Sequence, residues 1–216
     1  MTSPLLYSFR RCPYAMRARL GLLVAKIPVR IREIELKNKP QSMLEVSPKG
    51  TVPVMIVSDS QNKKVIEESL DIMLWALTSN DPHHILATYS QQTETVLALI
   101  ERNDQEFKHW LDRYKYADRF PEHGQSHYLS MACSFIENLE TRLSQHTFLF
   151  GAKPSIADLA IFPFIRQFAF VDKKKFDSLP YPNLQCWLNY WLEHSWFESI
   201  MKKYQPWLLH EQEYFL

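Results

Sequence analysis

Apolar and polar residues alternate with short periods along the first eighty residues, which indicates strands and helices in turn. Four short apolar or β-rich runs predict strands, at residues 5–9, 29–34, 52–57 and 64–66. After the first run, one face of a predicted helix carries Met16, Leu20, Leu23 and Val24. A second helix is predicted from Ser69, which we expect to be its N-cap. The order βαβ followed by ββα predicts a parallel strand pair and then a hairpin, with its turn at residues 59–62.

Beyond residue 88 the spacing of the apolar residues changes to that of helices. Steps of three and four residues repeat in three stretches, at 96–114, 128–143 and 184–192. We therefore predict an α/β domain over residues 1–80, a linker at 81–87 and an all-helical domain over 88–216.

Composition and charge restrict the function classes. The chain has 216 residues, of which 46% are hydrophobic, enough for one large core or two modest ones. With 25 basic and 24 acidic side chains the formal charge is +1, which predicts no long-range attraction to nucleic acid or to an anionic membrane. No apolar run approaches the ~20 residues of a membrane helix. The eight histidines show no spacing that demands a metal. Three scattered cysteines do not make a disulfide framework and fit a reducing cytosol, so we expect a cytoplasmic protein.

Cys12 is the strongest candidate for chemistry. It stands before Pro13, a favoured first residue of a helix, at the point where a predicted strand passes into the helix. A cysteine there faces unpaired backbone N–H groups and the positive end of the helix dipole, so we expect a lowered pKa and a reactive thiolate. Arg10, Arg11 and Arg17 add positive charge nearby. The alternative is a buried structural cysteine, but small ligands meet a sheet at such a strand-to-helix position, which favours the reactive interpretation.

Any redox cycle at this site is predicted to use a single thiol. Position 15 is occupied by Ala15, so Cys12 cannot close a disulfide within its own helix turn. A substrate would leave a mixed disulfide on Cys12, and an outside thiol, for which glutathione is the candidate, would resolve it. Cys133 and Cys186 lie in predicted helical segments, where we expect them to pack in the core.

Four motifs resemble one known family. Residues 6–19 (LYSFRRCPYAMRAR) resemble the N-terminal signature of the cysteine-type glutathione S-transferases, especially the omega class and bacterial proteins like it. Residues 51–53 (TVP) resemble the family's cis-proline loop, and residues 67–69 (EES) its acidic-serine pair. Residues 155–158 (SIAD) resemble the capping box of the buried helix in its second domain. The motifs occur in the family's order and span nearly the whole chain.

The resemblance implies a thioredoxin-like α/β domain, a helical second domain and glutathione as co-substrate. It implies that Val52 offers its backbone to the cysteinyl part of glutathione and that the Val52–Pro53 bond is cis. The same resemblance implies that Glu68 and Ser69 hold the γ-glutamyl end.

Further residues are assigned more loosely by the resemblance. Lys39 stands where omega-like proteins often place a lysine against the glycine carboxylate of glutathione, and Lys37 is close enough to be the alternative. Other classes of the family activate the glutathione thiol with a tyrosine or serine at the end of the first strand. Here Tyr7 is expected in the core and Ser8 as a minor contributor, because Cys12 is the better nucleophile at neutral pH.

The function that the resemblance implies is glutathione-dependent thiol transfer by a homodimer. The second substrate, a small molecule or a protein thiol or disulfide, is expected against the helix that carries Trp110 and Tyr114. Two alternatives stay open. One is conjugation of glutathione to electrophiles, and the other is a non-catalytic binding protein, because the same fold serves in transcription- and translation-associated proteins.

Overall fold

The computed structural model describes residues 3–58 and 62–216. The chain divides into two compact units, one running up to His84 and also including His194–Leu216, the other consisting of Ile85–Glu193. The division after His84 lies inside the predicted linker, 81–87. At the other end the structure differs from the predicted helical domain, 88–216, because the last segment of the chain belongs to the first unit.

A mixed sheet of five strands forms the centre of the first unit, counted over the described residues. Its strands are β1 (Leu5–Ser8), β2 (Arg30–Glu33), β3 (Val54–Ser58), β4 (Lys63–Ile66) and β5 (Tyr214–Phe215), in the order β4-β3-β1-β2-β5. The pairs β1–β2, parallel, and β3–β4, antiparallel, confirm the predicted parallel pair and hairpin. Residues 59–61 of the predicted turn lie outside the described residues.

Each stretch predicted as helical is helical in the structure, which also contains short helices that the sequence analysis did not predict. They are α1 (Pro13–Val24), α2 (Gln41–Leu44), α3 (Ser69–Ser79), α4 (Ala87–Gln91), α5 (Thr93–Arg102), α6 (Lys108–Lys115), α7 (Gln125–Leu143), α8 (Ile156–Ala169), α9 (Lys173–Asp177), α10 (Pro182–Glu193), α11 (Ser195–Ile200) and α12 (Trp207–His210). A π-helical turn, Asn103–Phe107, joins α5 to α6, so the predicted helix over 96–114 is continuous but locally widened. A short 3-10 turn, Ala117–Arg119, follows α6.

Helices α1 and α3 pack closely against each other in the first unit. A β-carbon added at Gly21 would lie 2.7 Å from the Cα atom of Met73, so only glycine permits this approach of the two backbones. Almost every residue of α1 is buried, including Arg17 and Arg19. This helix therefore has no exposed polar face, and its charged side chains need partners inside the unit.

The C-terminal segment completes the sheet. Strand β5 pairs antiparallel with β2, with Phe215 opposite Arg30. Glu213, next to β5, accepts hydrogen bonds of 3.1 Å from both Arg30 and Arg32. This pairing covers the backbone edge of β2 and explains why the segment belongs to the first unit.

A capping box begins α8, as predicted. Ser155 is the N-cap, and its backbone N–H donates a 2.9 Å hydrogen bond to Asp158 Oδ2. The other carboxylate oxygen, Oδ1, accepts from the backbone N–H of Leu149 at 3.0 Å and from Trp187 Nε1 at 2.9 Å. The fully buried Asp158 therefore joins the start of α8 to the preceding loop and to α10.

Candidate functional site

The structure places Cys12 at the N-cap of α1, as predicted. Its backbone is extended, and Pro13 opens the helix. The turn from β1 closes through a 3.0 Å hydrogen bond from the Cys12 backbone N–H to the carbonyl of Phe9. Cys12 is half-buried, and its Sγ donates a weak hydrogen bond to the carbonyl oxygen of Val52 at 3.7 Å. The thiol therefore lies at the positive end of the helix dipole, beside the loop that carries the family motif.

The Val52–Pro53 loop has the predicted backbone. The peptide bond between these residues is cis, and both are buried. Two residues earlier, Gly50 has a φ of 63°, and a β-carbon added there would lie 3.4 Å from Lys39 Nζ. The half-buried Lys39 therefore lies beside this loop, whereas Lys37 is exposed. The structure thus brings Cys12, Val52 and Lys39 into one region of the first unit.

The predicted role of Ser69 as an N-cap is wrong. Glu68 has the extended backbone of the N-cap, and Ser69 is the first residue of α3. The hydroxyl of Ser69 is buried and accepts a 3.3 Å hydrogen bond from Arg17 Nη1. Because Arg17 lies in α1, this bond links the start of α3 to the helix that Cys12 begins.

Carboxylates surround the start of α3. The exposed Glu68 pairs with Lys49 at 2.7 Å. Glu67 accepts a 2.5 Å hydrogen bond from the hydroxyl of the buried Ser47. Glu68 is therefore the carboxylate on the solvent side, where a ligand could reach it, whereas Glu67 is tied to the neighbouring loop.

Tyr7 packs in the core cluster of the first unit, in agreement with its expected role. Its hydroxyl lies 2.8 Å from the hydroxyl of Ser42 and accepts a 3.0 Å hydrogen bond from Arg32 Nη1. The neighbouring Ser8 is fully buried, and its hydroxyl accepts from Arg19 Nη1 at 2.8 Å.

Arg19 and Glu33 are two buried charges near Cys12 that sequence reasoning missed. Arg19 donates to the backbone carbonyl of Arg10, and Glu33 accepts from the backbone N–H of the same residue, each at 2.6 Å. One feature of the sequence could have indicated that Arg19 is buried. It lies in a helix so apolar that no face of the helix is left for solvent. For Glu33 the alternation of β2 was the signal, because it puts Glu33 on the side of Ile31 and opposite to Arg30 and Arg32.

The residues predicted for the second substrate lie in the helical unit, on α6. Trp110 is half-buried, and its ring is stacked with the ring of Tyr128 at a centroid distance of 6.4 Å. Tyr114 is buried against Phe168, with centroids 5.4 Å apart, and burial raises the pKa of its hydroxyl. Their role towards a second substrate stays a prediction.

The other two cysteines differ from each other. Cys133 is buried in α7, as expected, and burial raises the pKa of its thiol. Cys186 is exposed on α10, so the core role predicted for it is wrong. The buried face of α10 is formed instead by Leu184, Trp187, Leu188 and Trp191. No disulfide joins the three cysteines, all of which lie in the described part of the chain.

We expect Cys12 to be alkylated by iodoacetamide with a pH midpoint below the ~8.5 of a free cysteine, because the helix N-terminus and nearby arginines favour its thiolate. Mass spectrometry of the separated cysteine peptides over a pH series measures this directly. Cys133, whose pKa burial raises, is the internal comparison and should react later. A Cys12 midpoint at or above that of a free cysteine would contradict the activated thiolate.

Neither a metal-ligand cluster nor a membrane-spanning helix occurs in the part of the chain that the structure describes. Within residues 3–58 and 62–216, no three His, Cys, Asp or Glu side chains are grouped so that they could hold a metal ion. Among the same residues, no helix combines the length and apolar character needed to cross a bilayer.

Comparison with known proteins identifies the family. The model for the glutathione S-transferase N-terminal domain matches residues 6–84, and the model for the C-terminal domain matches residues 134–189. The chain belongs to the glutathione S-transferase family. Together with the relatives described below, this confirms the resemblance to its cysteine-type, omega-like members.

Individual relatives support the same family. A probable glutathione transferase omega-2 from Caenorhabditis briggsae is 28% identical over 73% of this chain and 61% of its own length. Pyrimidodiazepine synthase from Drosophila melanogaster is 40% identical over 30% of this chain and 27% of its own length. The matches therefore span less than two thirds of either relative.

A solved structure shares the fold over most of the chain. It is a glutathione transferase family member from Pseudomonas fluorescens with two glutathione bound, with a TM-score of 0.78 and 16% identity over 92% of each chain. The fold class predicted from the sequence, a thioredoxin-like domain followed by a helical domain, is confirmed.

Proposed function

We propose that this protein is a glutathione-dependent thiol transferase with Cys12 as its nucleophile. The observation that carries this proposal is the position of Cys12 at the N-terminus of α1, with its Sγ 3.7 Å from the carbonyl of Val52. This position favours the thiolate and leaves the sulfur beside the loop that holds glutathione in the family.

Glutathione is proposed to bind along the first unit. Val52 offers its backbone to the cysteinyl part, and Pro53 keeps the shape of that loop. Lys39, beside Gly50, is in reach of the glycine carboxylate. Glu68 and Ser69, at the start of α3, hold the γ-glutamyl end, where the helix N-terminus favours a carboxylate. The neighbour from Pseudomonas fluorescens, described with two glutathione bound, supports this assignment at the level of the fold.

The proposed reaction is thiol–disulfide exchange in two steps. The Cys12 thiolate attacks the glutathionyl sulfur of a mixed disulfide, the bond between the two substrate sulfurs breaks, and the released substrate thiolate takes a proton. Cys12 now carries glutathione in a disulfide. The thiolate of a second glutathione attacks the glutathionyl sulfur of this disulfide, which releases oxidised glutathione and regenerates the Cys12 thiolate. Because position 15 is alanine, the second thiol comes from outside the helix turn.

Conjugation of glutathione to electrophiles is the main alternative, and it needs a group that activates the bound glutathione thiol. Tyr7 is a poor candidate for this role, because its hydroxyl already contacts Ser42 and Arg32. Cys12 would also compete with the bound thiol by forming a disulfide with it. Thiol transfer is therefore the better-supported activity.

Two measurements test the proposed function. Retention on immobilised glutathione tests recognition, and reduction of the mixed disulfide of glutathione and 2-mercaptoethanol, with glutathione as reductant, tests the chemistry. We expect both to be positive. Retention without turnover of this disulfide would contradict thiol transfer, and a third assay with an electrophile as second substrate then separates conjugation, if it is turned over, from a non-catalytic binding protein, if it is not.

The assembly and compartment remain part of the proposal. A homodimer is inferred from the family resemblance, and a cytoplasmic location from the scattered cysteines, none of which is in a disulfide.

Replacing Ser69 by alanine is expected to weaken glutathione binding by roughly tenfold or more, because a hydrogen bond to a charged group contributes roughly 1.5–3 kcal/mol. The same change removes the acceptor of the Arg17 bond that ties α3 to α1. Isothermal titration calorimetry with glutathione measures the effect. Ser79→Ala, at the exposed end of the same helix, is the matched control. Equal affinities for the two variants would contradict the assignment of Ser69, and Cys12 alkylation should continue in both.

A further inference from the structure

Two charged side chains are buried beneath the turn that carries Cys12. Arg19, on α1, has no exposed surface, and Glu33, at the end of β2, is 7% exposed. Burying a charge is unfavourable unless it is paired and hydrogen-bonded. The nearest atoms of this pair, Arg19 Nη1 and Glu33 Oε2, are 4.0 Å apart, which is too long for a hydrogen bond between them. The best contacts of both side chains are instead with the backbone of the turn and the end of β1.

Those contacts converge on one residue, Arg10, two positions before Cys12. Glu33 Oε1 accepts a 2.6 Å hydrogen bond from the Arg10 backbone N–H. Arg19 Nη2 donates a 2.6 Å hydrogen bond to the Arg10 carbonyl. Arg19 Nη1 also donates to the hydroxyl of Ser8, the last residue of β1, at 2.8 Å. Glu33 therefore binds the backbone N–H of Arg10, and Arg19 binds its backbone carbonyl.

The electrostatics of the pair extend to the Cys12 thiol. The charged and titratable groups that face Arg19 are Glu33, Cys12, Tyr204 and Arg10. Burial lowers the pKa of Arg19 to about 10, so it stays protonated at neutral pH, while Glu33 and Cys12 act in the opposite direction. The attraction is mutual: if a Cys12 thiolate favours the Arg19 cation, the cation favours the thiolate. Burial also raises the pKa of Glu33, against the hydrogen bond from Arg10 and the charges of Arg19 and Arg10.

We propose that Arg19 and Glu33 are positioning residues for Cys12. Together they hold the turn at Arg10, so that the Cys12 sulfur stays at the N-terminus of α1 beside Val52. Arg19 additionally supplies the buried positive charge that favours the thiolate. The inference deepens the proposed function, on which it rests for the identity of Cys12 as the reacting thiol.

A purely structural role for the pair predicts a different result. If the pair were only structural, its replacement would lower the stability of the fold but would not change the pH midpoint of Cys12 alkylation. The discriminating measurement is therefore the pH midpoint of Cys12 alkylation, read from the Cys12 peptide of the full chain, with thermal unfolding recorded in parallel.

Three variants and one control define the experiment. Arg19→Gln removes the charge and its forked donors, and we expect the Cys12 midpoint to rise by about one pH unit, which is about tenfold less thiolate at neutral pH. Arg19→Lys keeps a charge but loses the fork, so a smaller rise is expected. The double variant, Arg19→Gln with Glu33→Gln, removes both charges and should also raise the midpoint. It serves if the single variant does not fold, because it leaves no uncompensated buried carboxylate. Arg30→Gln is the control, because Arg30 pairs with Glu213 away from the Cys12 turn.

The outcomes separate the inference from the proposed function. A raised midpoint in the folded Arg19 variants, with Arg30→Gln at the wild-type value, supports the positioning role. Wild-type midpoints in every folded Arg19 variant would overturn it and leave the pair a purely structural element. Alkylation reads the Cys12 thiol without any turnover, so a wild-type protein that lacks thiol transfer would refute the proposed function while this measurement still decides the role of Arg19.

Discussion

Replacing Cys12 by serine is expected to remove thiol transfer almost completely, by at least about a hundredfold, while glutathione still binds. A serine hydroxyl cannot form a disulfide and stays protonated at neutral pH, so the first step of the exchange is lost. The proposed recognition of glutathione rests on other groups, the backbone of Val52 and the side chains of Glu68 and Ser69. Reduction of the glutathione–mercaptoethanol disulfide measures the loss, and calorimetry with glutathione measures what remains.

Cys186→Ser is the matched control for this experiment. Cys186 is an exposed cysteine of the helical unit, so its replacement should leave transfer unchanged. If Cys12→Ser kept full activity, the nucleophile would have to be the bound glutathione thiol itself. Tyr7 or Ser8 would then become its activator, and the central assignment would be wrong, although the fold would stand.

Replacing Asp158 by alanine is expected to destabilise the protein by roughly 3–7 kcal/mol. Loss of a helix cap alone typically contributes about 1 kcal/mol. Here Asp158 also accepts hydrogen bonds from Leu149 N–H and Trp187 Nε1 inside the core. Alanine leaves these two buried donors without an acceptor, at about 1–3 kcal/mol each. Denaturant unfolding followed by circular dichroism measures the difference.

An exposed aspartate provides the comparison for Asp158. Asp177 pairs with Lys173 at 2.5 Å on the surface of α9, and Asp177→Ala should change stability by less than about 1 kcal/mol. The fraction of Asp158→Ala that remains folded should bind glutathione normally, because Asp158 takes no part in the proposed site. Equal stability of the two variants would refute the structural role of the capping box.

Local patterns predicted the main strands and helices and the place of Cys12 at the start of a helix. The alternation at 29–34 and the helical spacing after Cys12 depend only on neighbouring residues, and both features occur in the structure. Pro13 marks the start of α1 because its ring suits the first helical position whatever surrounds it. The capping box of α8 is likewise local, since its two residues are three positions apart.

The two wrong predictions, at Ser69 and Cys186, have causes that the local sequence does not show. Ser69 is a favoured N-cap residue, yet Glu68 occupies that position, because the hydroxyl of Ser69 is drawn to Arg17 on another helix. Cys186 is apolar enough for the core, but the rotation of α10 about its axis places four larger side chains on the buried face. In both cases packing between distant segments overrode the preference of a single residue.

The sequence by itself determined the order of the first four strands, the main helical stretches and the position of Cys12 at a helix start, because such signals lie within a few residues of one another. Only the tertiary structure decided that strand β5 completes the sheet, since a two-residue strand carries no recognisable period. It also decided that Arg19 and Glu33 meet at the backbone of Arg10. Arg19 comes from a helix and Glu33 from a strand, and the two are adjacent only after folding. A buried charge needs partners, but which residues supply them depends on this tertiary contact.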